Sequence, residues 1–316
     1  MTAYDATLLP PADESERCAA HAERIDLDPG GSALWVDELI VVDMPLPWPK
    51  PVWAKEGYTA VPELVMDAEA AGRRIRVLAA VPLDDGIGRV VTHRLAADGS
   101  FARTEHHVRP VGVDPGDVID LLTVLIAESL DCSPTTVVDS ARRRELLLCT
   151  QGSHDVCCGT RGMALESELR DAGSIVPIRR VSHTGGHRLA PTGVTLPDGR
   201  MWGMVTTAEM VGILNGALSP GAVARRCRGW IGAEPGPAQV AERAVMAEID
   251  DWSFDHTART VVVDGEAATI TTDVGTWQVD VVDGRAVPTI ACGEPGGLPA
   301  KPGAEWQVRS ISRVAD

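Results

Sequence analysis

The chain has 316 residues, 44% of them apolar and 23% charged, with a formal net charge of −16. That length suits two or three domains with cores of ordinary size, and the apolar runs are too short to span a bilayer. The negative balance argues against nucleic acid, because phosphate binding requires a concentrated positive surface; the cluster Arg142, Arg143 and Arg144 is too short to overturn it. An acidic surface suits docking to a basic protein partner and equally serves solubility. The polar, acidic stretch Met1 to Ala19 lacks the regions of a signal peptide, so a cytoplasmic location is expected.

Residues 1–31, with Pro10, Pro11 and the Pro29-Gly30-Gly31 breaker, read as an N-terminal extension with at most a short helix around Arg17 to Arg24. Ala33 to Asp43 reads as a largely buried strand. In the loop after it, Trp48 and Trp53 stand among Pro45, Pro47, Pro49 and Pro51, where tryptophans clamp a loop to a core. A helix from Pro62 to Ala71, stopped by Gly72, leads to a strand at Ile75 to Val81. Arg89 to Leu95 and Phe101 to Val108 flank Asp98-Gly99 as a hairpin. Asp114-Pro115 opens a helix expected to end near Leu130.

The same order then recurs. Glu145 to Cys149 reads as a strand, Met163 to Ala172 as a helix ended by Gly173, and Val176 to Ser182 as a strand. Thr192 to Leu196 and Arg200 to Val205 form a hairpin across Pro197-Asp198-Gly199, and Thr206 with Glu209 makes a capping box for a helix through Leu214. Strand, helix, strand, hairpin, helix occurs twice. The expected fold is α/β: two tandem thioredoxin-like units, 32–140 and 141–232, each a mixed four-stranded sheet with helices on both faces. Residues 233–316 read as a small C-terminal α+β appendage. It has one helix carrying Ala241, Val245 and Ile249, and strands at Thr260 to Val263, Ala267 to Thr272, Thr276 to Val282 and Gln307 to Ile311.

Seven cysteines in a chain expected to be cytoplasmic do not suggest a disulfide framework. Cys18, Cys132, Cys227 and Cys292 are scattered and read as buried small hydrophobes. Cys149, Cys157 and Cys158 cluster, in C-T-Q-G-S-H-D-V-C-C-G (Cys149 to Gly159), and H-T-G-G-H-R (His183 to Arg188) follows. Thiolate and neutral imidazole are natural metal donors. Cys149 ends the first strand of the second unit, Cys158 lies where the next loop turns into the helix, and His183 ends the next strand. Loops leaving strand ends are where α/β folds place ligands, and the helix N-terminus favours thiolates. Gly185-Gly186 lets the backbone bend before His187. The eight-residue loop is wider than a zinc knuckle's and points to an iron–sulfur cluster, with a structural zinc ion as the alternative.

These segments, with L-P-D-G-R-M-W-G (Leu196 to Gly203) and the weaker P-L-P-W (Pro45 to Trp48), resemble the sucrase/ferredoxin-like family. The resemblance implies a thioredoxin-like ferredoxin with a [2Fe–2S] cluster. Its ligands would be Cys149, Cys158, His183 and His187, with Cys157 a neighbour of the second thiolate and an alternate for it. It further implies electron transfer or redox sensing, coupled to protons through the imidazoles, with a redox protein as partner, and a non-enzymatic role. His154, where a basic residue often stands, either tunes the site or lies on the surface. A hydrolase is disfavoured because no motif singles out a carboxylate pair, and a thiol–disulfide oxidoreductase because no Cys-x-x-Cys is present.

Overall fold

The strand expected from Ala33 begins in the computed structural model at Glu38, and β1 (Glu38–Asp43) is buried along its whole length. The structure describes residues 4–83, 88–108, 115–127, 138–139 and 144–314; Asp114, Leu130, Cys132, Arg142 and Arg143 lie outside these. Ahead of β1 stands α1 (Cys18–Arg24). After β1 come α2 (Val61–Ala70), β2 (Ile75–Ala80), β3 (Gly88–Leu95), β4 (Phe101–Val108), α3 (Pro115–Ala127) and the short β5 (Val138–Asp139). The second half has β6 (Glu145–Cys149), α4 (Val156–Asp171), β7 (Ile178–Val181), β8 (Thr192–Leu196), β9 (Arg200–Gly203) and α5 (Thr207–Asn215). The short α6 (Pro220–Val223) and β10 (Cys227–Trp230) close it.

These ten strands form one mixed sheet in the order β10-β9-β8-β6-β7-β2-β1-β3-β4-β5. Each half is therefore ordered alike, as β2-β1-β3-β4 and β7-β6-β8-β9, with the first two strands parallel and the rest antiparallel. The halves join edge to edge where Ala80 of β2 pairs with Val181 of β7.

Alternation along the strands explains how both faces are buried. Ile40 and Val42 of β1, with Val77 and Ala79 of β2, pack against Val61 and Ala68 of α2 and Leu122 and Leu125 of α3. Leu146 and Leu148 of β6 pack in the same way against Leu165 and Leu169 of α4 and Met210 and Ile213 of α5. Helices on both faces were expected, but the helices of each half lie on one face. The alternate residues Leu39, Val41, Leu78, Leu147, Val181, Val194 and Met201 share a single cluster instead. Phe101 N donates to Pro197 O at 2.7 Å, tying the outer hairpin of one half to that of the other. The sheet thus curls, and its inner face is buried largely against itself, with Ala238 at one edge of the cluster.

A second, antiparallel sheet follows α7 (Pro237–Ile249): β11 (Arg259–Asp264), β12 (Ala267–Thr272), β13 (Gly275–Thr289) and β14 (Lys301–Arg313). β13 and β14 run well past the expected Val282 and start before Gln307. Their outer ends, carrying Val287, pack on Ala22 and Ile25 of the N-terminal segment, which the sequence reading did not anticipate. Val240, Val245 and Met246 of α7 join Ile270, Trp277 and Val279 to the core under α4 and α5.

Trp48 is buried, its Nε1 donating to Met44 O at 3.0 Å, so it anchors the proline-rich loop. The capping box at α5 forms as expected: Thr206 Oγ1 accepts from Glu209 N at 3.2 Å, and Glu209 Oε2 accepts from Thr206 N at 2.7 Å. Thr206→Ala should lower stability by about 1 kcal/mol, read as a small fall in melting temperature, with Thr206→Ser close to wild type. An equal loss in the serine variant would show that the hydroxyl cap is not what matters.

A candidate metal centre

Four backbone segments converge at one end of the strands. β6 carries Leu146, Leu147 and Leu148 after Glu145 and ends in Cys149, fully buried. The chain then turns through Gln151 to Asp155, whose side chain accepts from Cys157 N at 2.8 Å and caps α4. The helix starts seven residues before the expected Met163. Gly159 and Gly162 look like helix breakers in sequence, yet here they permit close packing. A side chain at Gly162 would collide with the Cys149 carbonyl, and one at Gly159 with Gly152. Cys157 and Cys158 consequently sit in the first turn of α4, where N–H groups and the helix dipole favour negative sulfur.

The third segment is the turn after β7. Ser182 is held to β2 by Ser182 N to Ala79 O at 2.8 Å and Ala79 N to Ser182 Oγ at 3.0 Å. His183 N donates to Gln151 Oε1 at 3.0 Å, and Arg76 Nη2 donates to His183 O at 3.0 Å. Gly185 and Gly186 both take positive φ, 86° and 70°. Gly186 is doubly required, since a Cβ there would meet Arg228 Nη2 at 2.7 Å. Arg228 reaches in from β10, donating from Nη1 to Gly185 O at 3.0 Å.

The result brings Cys149 Sγ, Cys158 Sγ and His183 Nδ1 together, all within 4.8 Å of one another. His183 Nδ1 lies 3.9 Å from the Cys149 sulfur and 3.7 Å from that of Cys158. Donors on one tetrahedral metal with bonds of about 2.0–2.3 Å stand about 3.5–3.8 Å apart, so this spacing fits a metal-binding group. His187 is not in that trio. Its side chain is 43% exposed, its Nδ1 lies 3.7 Å from Asp155 Oδ2, and its ring centre is 6.2 Å from that of His183. His187 groups with Asp155 and Cys18 within 4.8 Å. Cys157 turns away from Cys149 and groups with Cys18 and Cys292.

The electrostatics favour a thiolate at Cys149. Its thiol is pushed well below the ordinary value, first by the hydrogen bond from Cys158 and then, against burial, by His183 and the backbone N–H groups of Thr184 and Gln151. Cys158 is pushed up by that same contact and by burial, as expected when two close thiols share one negative charge. Arg228 is lowered to about 10, chiefly by its burial, while Cys158 and Cys149 act to keep it charged. A buried guanidinium thus stands behind two buried sulfurs.

Apart from His154, the remaining contributors carry no signal in the sequence. Gln151 bridges the site to the proline-rich loop, donating from Nε2 to Pro49 O at 3.0 Å, and Lys50 Nζ donates to His154 O at 2.8 Å. The His154 ring stacks on His183, with centres 3.9 Å apart and planes 18° from parallel. Arg228 and Arg76 lie far away in the chain, and only the fold brings them in.

Fold and site together define a mixed α/β protein whose cysteine and histidine groups could hold a metal ion. The chain belongs to the sucrase/ferredoxin-like family, whose sequence model matches residues 33–229, more than half its length. Comparison with curated proteins and with solved structures gives no significant match. The matched region runs from the approach to β1 into β10, and so contains Cys149, Cys158, His183 and His187. It leaves out α1 and the C-terminal sheet. Among the described residues no helix is long and apolar enough to cross a membrane.

Proposed function

We propose that the protein is a non-enzymatic [2Fe–2S] electron-transfer or redox-sensing protein, with Cys149 and Cys158 on one iron and His183 and His187 on the other. The observation that carries this reading is that Cys149, Cys158 and His183 converge, with His187 on the same turn, in a chain of the sucrase/ferredoxin-like family; the spacing of the trio taken alone suits a single ion equally, which is why zinc is the alternative tested below. The donor set suits the group: two buried sulfurs with a buried guanidinium behind them, and two imidazoles, one half-exposed, toward solvent. Such a cluster, when bound, supplies one-electron chemistry at a potential raised by neutral imidazole ligands.

The remaining roles belong to the chain. Cys149 and Cys158 hold sulfur away from water, and Arg228 with the Thr184 and Gln151 N–H groups offsets negative charge there. His183 presents Nδ1 to the sulfurs, and His187 stands half-exposed beside Asp155. The repeated strand order supports two tandem thioredoxin-like units, 32–140 and 141–232, between the extension 1–31 and the module 233–316. A redox protein in the cytoplasm is the proposed partner, docking by charge complementarity to an acidic surface.

Anaerobic purification, visible absorption and EPR of the dithionite-reduced protein test the reading, with iron and acid-labile sulfide expected in equal amounts. Zinc without iron or sulfide would select the structural-zinc alternative on the same residues. The midpoint potential should fall as pH rises from neutral to alkaline, by up to about 59 mV per unit for one proton and one electron. A flat profile would sink the proton-linked part. His183→Cys should keep iron while lowering the potential by about 100 mV or more, since a thiolate adds negative charge.

A further inference from the structure

Cys18, Cys157 and Cys292 come from the N-terminal extension, the first turn of α4 and the segment after β13, and their three sulfurs lie within 4.8 Å of one another. The Cys18 and Cys157 sulfurs are 3.7 Å apart. We propose that these three cysteines form a second metal site, a structural Zn2+ site that pins the N-terminal segment and the β13–β14 connection to α4 beside the centre described above. It uses none of that centre's ligands.

Three observations carry the assignment. First, the Cys18–Cys157 sulfur distance of 3.7 Å matches the edge of a tetrahedron with Zn–S bonds of about 2.3 Å, an edge of about 3.8 Å. It is far from the roughly 2.05 Å of a disulfide. Second, two of the sulfurs accept hydrogen bonds, while burial pushes the Cys18 and Cys157 thiols up and a cation would be needed to hold them as thiolates. Cys18 N donates to Cys292 Sγ at 3.3 Å, the Ala19 N–H turns to Cys157, and the Arg17 side chain turns to Cys292. Third, the setting is enclosed. Cys18 and Cys157 are buried, Ile290, Ala19 and Ala190 pack around them, and Cys292 is the partly exposed member.

A small hydrophobe would fill this space as well at any one of the three positions. Three thiols converging from segments 139 and 274 residues apart are what a soft cation requires. Asp155, whose carboxylate lies within 4.8 Å of the Cys18 sulfur, offers an oxygen donor for a fourth position that water can also fill. Zn2+ replaces the thiol protons, which leave to solvent, and the binding free energy becomes folding free energy for the two segments it joins. Both segments lie outside residues 33–229, so the site ties the flanking elements to the family-matched body.

The test uses the full-length chain, purified anaerobically with its metals and supplemented with Zn2+ alone. Zinc and iron are counted in wild type, Cys18→Ala and Cys292→Ala, and zinc K-edge absorption is recorded. The expected result is about one zinc per chain in wild type, with a sulfur shell near 2.3 Å. Each variant should lose at least about four-fifths of that zinc while the visible spectrum and iron content stay unchanged, which also shows that it folds. Zinc retained in the variants, no zinc after supplementation, copper in its place, or a Cys18–Cys157 disulfide by mass spectrometry would each overturn the proposal. Zinc held instead by Cys149 and Cys158 would survive both substitutions, so failure here is distinguishable from failure of the iron–sulfur reading.

Discussion

Cys149→Ala and Cys158→Ala should each purify colourless, with iron and sulfide at or below about a tenth of wild type, while Cys157→Ala keeps both. The expectation follows from direction rather than from sequence position. Consecutive residues of a helix point about 100° apart, so the first turn of α4 sends the Cys158 sulfur toward Cys149 and His183 and the Cys157 sulfur toward Cys18 and Cys292. Loss of an outer partner costs roughly 10–100-fold in metal affinity, and removal of a ligand costs more. Iron and sulfide analysis with visible absorption is sufficient. If Cys157→Ala bleaches while Cys158→Ala does not, the ligand assignment is reversed.

Arg200→Met should be among the most destabilising single changes in the chain, by about 3–5 kcal/mol. Arg200 is fully buried at the start of β9, and three acidic side chains, Asp198, Glu242 and Asp255, are buried with it. Its Nε and Nη2 donate to Asp255 Oδ1 at 2.8 and 2.6 Å, and its Nη2 also donates to Glu242 Oε1 at 2.8 Å. Arg259 from β11 stands 2.9 Å from the same Glu242 oxygen and stacks over Trp230 at 4.0 Å. The network thus clamps the large sheet to α7 and the second sheet.

Methionine fills most of the volume but removes the charge and the guanidinium hydrogen bonds to Asp255 and Glu242, leaving three carboxyls to a single guanidinium. The carboxyl of Asp198 is already raised by burial and by Asp255. Protonation relieves unpaired negative charge, so the deficit should shrink as pH falls from about 8 to 5. Thermal unfolding across that range checks the sign. Arg200→Met combined with Asp255→Asn should recover part of the loss; a double variant no better than the single one would argue for a packing defect instead.

The second half of the chain was readable where local rules suffice. The glycines of His183-Thr184-Gly185-Gly186-His187 announce a tight turn, and both adopt positive φ. The Thr206–Glu209 box closes as its spacing predicts. The start of α4 was misplaced because helix propensity penalises glycine, while the fold needs Gly159 and Gly162 where backbones touch. His154 was open between tuning the site and lying on the surface, and its stacking on His183 depends on how the loop folds back, which no periodicity encodes.

Cys18 and Cys292 are the clearest case of the opposite kind. Each is a lone cysteine in its own neighbourhood, and nothing within a window of residues marks it. Hydrophobic period, turn chemistry and donor spacing are short-range properties, and they were enough for much of the order of elements and for a cluster of candidate donors; the resemblance of whole motifs supplied the family and the set Cys149, Cys158, His183 and His187. The curl of the sheet, the guanidinium of Arg228 behind the sulfurs, and the meeting of Cys18, Cys157 and Cys292 depend on which distant surfaces bury one another. That is a property of the whole packed chain, and tertiary structure alone decided it.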